Sequence, residues 1–193
     1  MNWTIPGTTL DAPRETADAI DMQMRSLFLA GGLTLSQVAA ISGLEPYTIQ
    51  NWVKRGFLPP ARGKRYNMEQ LCRILNINLL RLCMPLEQIC TLMAYLNGSL
   101  SDESDDLVDD TLLYFLFVRL AARVRHIGGS DALEDALEQI TRDYREPVPG
   151  AREKLIRVLR IMLTAWVSGR MRLEAEKMVR QLKEEPLSPA PKQ

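Results

Sequence analysis

Residues 48–66 read TIQNWVKRGFLPPARGKRY, and the fold turns on what this stretch is. An amphipathic run ends in Lys54-Arg55-Gly56, Pro59-Pro60 stops the helix, and a basic turn around Gly63 closes on Tyr66. Five bases and no acid fall within it. Just upstream, residues 35–54 meet the demands of two helices crossing at a tight turn. Ala39 supplies a small residue where helices approach, and Gly43 a turn residue that tolerates positive φ. Val38, Leu44, Ile49 and Trp52 fall where they can pin the second helix on the first, which turns Tyr47, Thr48, Gln50, Asn51 and Lys54 outward. The spacing predicts a helix-turn-helix over 35–54 and a short β-hairpin wing at 57–66.

The outward residues carry matching chemistry. Gln and Asn can bond adenine at two points, and Thr can meet a thymine methyl. Tyr47, Thr48, Gln50 and Asn51 are therefore expected to read bases in double-stranded DNA. Lys54, Arg55, Arg62, Lys64 and Arg65 are expected to neutralise phosphates, which positions a protein without reading sequence. Tyr66 has two readings, a wing residue that stacks or donates to a phosphate and a buried structural ring. Helix corners with a glycine turn are common in helical proteins. The adjoining GFLPP segment and basic turn are what carry the reading.

Charge is distributed unevenly along a chain whose formal net charge is zero. Between Tyr47 and Arg81, seven bases (Lys54, Arg55, Arg62, Lys64, Arg65, Arg73 and Arg81) face Glu69 alone. Between Ser101 and Asp110 the sign reverses, with Asp102, Glu103, Asp105, Asp106, Asp109 and Asp110 and no base. The 193 residues suffice for one or two domains with real cores, and 46% hydrophobic with 25% charged residues is ordinary globular composition. The longest apolar run, Leu112 to Val118, is far short of the roughly 20 residues that span a bilayer. Three cysteines without an N-terminal signal pattern point to free thiols in a reducing cytoplasm.

Helix signals recur along the chain. Thr34 with Gln37 makes a capping-box pair, Pro46 suits a first turn, and Asn67 with Gln70 caps a helix over about 68–82. Pro85 opens another that ends at Asn97-Gly98, and three more are expected over about 107–126, 131–144 and 151–183. The first dozen residues look like a loosely held arm. The expected organisation is an arm and helix over 1–32, a winged helix-turn-helix over 33–100, a helical dimerisation or effector domain over 101–185 and a disordered tail over 186–193. The fold class is all-α, with the short wing hairpin as its β-structure.

The segments VAAISGLEPYTIQNW, RGFLPPA and KRYNMEQL resemble the winged-helix domain of MerR-type transcriptional regulators, which show a helix-turn-helix, a G-[LF]-[LI]-P-P segment and a wing ending near R-x-Y. MPLEQICTLMAYL resembles the helix that follows in those proteins. A nearer resemblance, covering about Ile20 to Val124, is to the bacterial family called domain of unknown function 1836. QNWVKRGFLPP, GKRY, QLCRILNINLLR, LEQICTLMAYLNG and the later DDTLLYF look like its hallmarks. The resemblance implies a sequence-specific, dimeric DNA-binding regulator with an effector it does not name. Two departures limit what carries over. The wing is short and Tyr47, Gln50 and Asn51 replace the usual Arg or Tyr, and an acidic joint with several helices stands where MerR proteins have one long antiparallel dimer helix.

The stretch LIRVLRIMLTAWVSGRM is the most apolar part of the C-terminal half, with Leu155, Leu159, Met162 and Trp166 on one stripe. The stretch is read as the central helix of a small bundle, as a dimer contact, or as both at once. Both at once is the expectation, with these four forming a homodimer interface that places two recognition helices on half-sites roughly 34–36 Å apart or a multiple of that. Cys72, Cys83 and Cys90 have no zinc spacing and are expected to pack as small apolar groups. His126, the one histidine, sits at a helix end with no nucleophile motif beside it. No metal, no cofactor, no catalytic residue and no membrane contact are expected. The alternative to a DNA-binding regulator is a protein-interaction module that has kept the winged scaffold.

Overall fold

The computed structural model describes residues 2–98, 106–124 and 130–184. Expectations placed on residues 101–105, on His126 and on the tail at 186–193 lie outside the described residues. In chain order the elements are strands β1 (Asn2–Thr4) and β2 (Asp11–Pro13), a 3-10 helix (Arg14–Ala19), and helices α1 (Ile20–Ser26), α2 (Leu35–Ser42), α3 (Pro46–Lys54), α4 (Met68–Leu80), α5 (Leu86–Asn97), α6 (Asp110–Arg123), α7 (Ser130–Thr141) and α8 (Ala151–Glu184). The protein is mostly helical, with one two-stranded antiparallel sheet among the described residues.

The expected caps start their helices. Thr34 Oγ1 accepts from the Gln37 N–H while the Thr34 N–H donates to Gln37 Oε1 at 2.9 Å. Asn67 and Gln70 repeat the exchange at the start of α4, at 2.8 and 3.0 Å. Each box satisfies two of the four amide donors that a helix start leaves open. Gly43 ends α2 at φ 67°, its N–H donating to the Ala39 carbonyl, and a Cβ there would come within 2.9 Å of Thr9 Cγ2.

That contact identifies the first correction. The N-terminal segment is not a loose arm: Trp3 pairs with Ala12 across the β1–β2 hairpin, and Trp3, Ile5 and Ala12 are buried. Thr9 bonds the α2 carbonyls of Ala40 and Ile41, Asn78 Nδ2 donates to Gly7 O, and Tyr114 Oη donates to Pro6 O at 2.9 Å. The strands escape a search for alternation because each is three residues long and contributes a single inward side chain.

Helices α4 and α6 are the centre. From Gln70 to Ile77 every residue of α4 is buried, and so is every residue of α6 from Leu113 to Val118. The stretch 113–118 of α6 is apolar on all sides and has to sit inside, while the buried polar residues of α4, Gln70, Arg73 and Asn76, are met by hydrogen bonds. Each fully buried Leu or Ile contributes roughly 1.5–3 kcal/mol. The α4–α6 pair is flanked by α8, with α7 against α6 and α8, and α5 against α8. One continuous core runs from Trp3 to Leu163, so the helices on either side of residue 100 share their apolar interior. No described helix is long and apolar enough to cross a membrane.

Candidate nucleic-acid interface

Helix α3 divides its faces sharply. Ile49 and Trp52 are buried, together with Val38 of α2 and Leu44 of the turn. Tyr47, Gln50, Asn51 and Lys54 are exposed, and Thr48 is half-buried. Pro46 occupies the first turn. The helix closes with Gly56 at φ 74°, and the Gly56 and Phe57 N–H groups return to the carbonyls of Val53 and Trp52. The Arg55 guanidinium lies 4.7 Å over the Phe57 ring.

The turn at 62–65 is smaller than the 57–66 wing hairpin expected from sequence. Arg62 and Arg65 exchange backbone hydrogen bonds at 3.1 and 3.0 Å, and Gly63 and Lys64 have φ of 57° and 62°. Positive φ at both central residues defines a type I′ hairpin turn, whose twist suits paired strands. Lys64 holds a conformation that a side chain disfavours, and it makes no hydrogen bond or ion pair with the described residues. Leu33 and Tyr66 then pair through both backbone bonds, at 2.9 and 2.8 Å, an isolated bridge that ties the turn to the segment leading into α2. Arg65 adds a bond of 2.9 Å from its guanidinium to the Gly32 carbonyl.

Of the expected phosphate contacts, Lys54, Arg55, Arg62, Lys64 and Arg65 are all exposed. Tyr66 differs: its side chain is 5% exposed, and burial raises its hydroxyl pKa. It is a core ring whose backbone anchors the turn, so of its two sequence readings the buried one describes it. Arg73 also leaves the basic face. It donates through Nε to the Phe57 carbonyl at 3.0 Å and pairs with Asp110 at 2.9 Å, both side chains nearly buried. Asn76 Nδ2 donates to the Asp110 carbonyl. Burial pushes the Asp110 carboxyl above its usual range, and Arg73 pulls it back.

Of the two roles expected of the α8 stripe, bundle core describes Leu155, Leu159 and Met162 and dimer contact does not. Leu155, Leu159 and Met162 are all 0% exposed within one chain, where α8 packs on α4 to α7. Trp166 is half-buried, edge-on to Phe117 at 5.9 Å with Arg170 over its face. Side chains already spent on the core are not offered to a partner. Ile161 and Leu173 are also exposed on α8, but its most exposed apolar residues lie beyond the stripe, at Met171, Met178, Val179 and Leu182. Sequence reasoning overlooked them because arginines and glutamates are interspersed among them and lower the local hydropathy.

The cysteines divide as well. Cys72 is buried and burial pushes its thiol far up, Cys90 is half-buried, and Cys83 is exposed rather than packed. Among the described residues no three His, Cys, Asp or Glu side chains gather in a way that would hold a metal ion.

Comparison with known proteins adds a family match over part of the chain and no activity. The family described as "Domain of unknown function (DUF1836)" matches residues 20–115, a span from α1 into α6 that includes α3 and the hairpin turn. The chain is 26% identical over 116 residues to the uncharacterized protein YkrK of Bacillus subtilis (strain 168). That alignment takes in 58% of this chain and 50% of the relative, so the chain spans about half the length of the curated protein it matches. No solved structure matches.

Proposed function

We propose that the protein is a sequence-specific DNA-binding transcriptional regulator of MerR-like winged-helix type, acting in the cytoplasm on double-stranded DNA as a homodimer, without enzymatic activity or a cofactor. The observation that carries this reading is the division of α3. The apolar face is consumed by the core, while Tyr47, Gln50, Asn51 and Lys54 stand exposed on a helix ending beside a basic type I′ turn. In this reading Gln50 and Asn51, with Tyr47 and Thr48, meet base edges in the major groove. Lys54, Arg55, Arg62, Lys64 and Arg65 meet phosphates.

The homodimer forms through the distal part of α8. Met171, Ala175, Met178 and Leu182 recur at steps of four, three and four, the spacing of a coiled-coil seam. All four are exposed. From Met171 to Leu182 the seam runs roughly 16 Å at about 1.5 Å per residue, and antiparallel pairing sets Met171 against Leu182 and Ala175 against Met178.

Fluorescence anisotropy with labelled duplexes tiling the upstream region of the gene, at several salt concentrations, tests the reading. Tight binding to one tile, abolished by the Gln50→Ala, Asn51→Ala double variant, is the expected result. Weak binding that ignores tile identity and is untouched by that variant would overturn the base-reading roles. One observation favours the second reading, a protein-interaction module: Tyr47 is 64% exposed, and tyrosine is an enriched interface residue. A protein partner would give binding with no preference for duplex.

A further inference from the structure

Behind the hairpin turn the end of α3, the start of α4 and the inner face of α5 enclose an open cleft of about 500 Å³. That is within the range of small-molecule sites, which run roughly 300–1,000 Å³. Its walls are chemically divided. Phe57, Cys90 and Met93 supply apolar surface, and Arg55 and Arg62 supply guanidinium groups.

The charges are not all equally available. Arg73 also lines the cleft, but Asp110 meets it at 2.9 Å. Glu69 and Asp106 line it too, and each is engaged in an interaction. Arg55 and Arg62 form no ion pair with any described residue. Arg55 is held in orientation by the Phe57 ring beneath it, which lowers the rotamer entropy lost on binding. Two guanidinium forks beside apolar surface suit one ligand chemistry: a carboxylate or phosphate, which an arginine grips with two parallel hydrogen bonds, carried on a short apolar body.

We infer that this cleft binds a small organic anion, its charged group held by Arg55 and Arg62 and its apolar part lying against Phe57, Cys90 and Met93. Arg55 and Arg62 are also phosphate contacts in the DNA reading, so anion and duplex would compete for them; the cleft is tested with no duplex present, so either reading can fail without the other.

Cys90 is a reporter within the site. In a Cys83→Ser variant of the full chain, with Cys72 buried, Cys90 is the thiol open to slow alkylation by iodoacetamide. Hexyl phosphate and hexanoate are the anionic probes and hexylammonium the control with the same apolar body. Expected are saturable protection by an anionic probe, about tenfold at ten times its dissociation constant, and none by hexylammonium. Adding Arg55→Ala and Arg62→Ala abolishes the protection while the melting temperature holds. Absence of saturable protection by either anion would overturn the inference, as would equal protection by hexylammonium or protection that survives loss of both arginines. Protection by hexyl phosphate alone, or by hexanoate alone, supports it and identifies which anion the forks prefer.

Discussion

At the end of α3 the Arg55 guanidinium lies over Phe57 and faces solvent. One helix later, in α4, the Arg73 side chain is 10% exposed, its guanidinium locked between the Phe57 carbonyl and the Asp110 carboxylate. Both residues come from one basic run, and both touch Phe57. The difference between them is burial. An exposed guanidinium keeps most of its hydration and is available to a ligand, whereas a buried one must have its charge met inside the protein. Local charge density in a sequence therefore mixes cations that offer themselves to partners with cations that hold the core together.

The sharpest way to break this comparison is to truncate both. Arg73→Ala leaves Asp110 buried without its partner and is expected to cost about 3–5 kcal/mol, while Arg55→Ala is expected to fall within about 0.5 kcal/mol. Urea denaturation of the two variants decides; equal losses would mean that the two arginines share one environment.

A second contrast repeats the first within α8. Leu159 is fully buried and Met178 is 58% exposed on the same helix. Leu159→Ala is expected to destabilise the chain by about 2–5 kcal/mol. Met178→Glu should leave each protomer's core intact and shift sedimentation from dimer towards monomer. A Met178→Glu protein that sediments as the wild type does would remove the distal seam as the dimer contact.

The smallest effect concerns the turn. Asn tolerates positive φ better than Lys, so Lys64→Asn is expected to change stability by less than about 0.5 kcal/mol. Loss of one phosphate contact should flatten the log–log salt dependence of DNA affinity by about 0.9. An unchanged slope would take Lys64 out of the contact set and leave the turn with Arg62 and Arg65.

The candidate surface was legible because its signals are local. Gly43, Pro46, the Thr34–Gln37 pair and the four inward residues Val38, Leu44, Ile49 and Trp52 lie close together in sequence, and helical periodicity alone separates them from Tyr47, Gln50 and Asn51. The α8 stripe shows the limit of the same method. Periodicity correctly put Leu155, Leu159 and Met162 on one face, but it could not say whether that face meets another chain or its own. The Arg73–Asp110 pair left a fainter mark, as Arg73 and Asn76 interrupt an otherwise apolar helix and require partners that the helix itself does not supply.

The sequence by itself determined where helices begin and end, since caps, prolines and glycines act on amides and carbonyls within a turn or so of themselves. It likewise determined the apolar and polar sides of α3. Tertiary structure alone decided which apolar stripe became core, which arginine became structural, and that the N-terminal residues form a packed hairpin. Those outcomes depend on groups distant in the chain: Asp110 lies 37 residues from Arg73, and Pro6 lies 108 from Tyr114. A side chain's burial is set by whatever element arrives to cover it, and that element is specified elsewhere in the sequence.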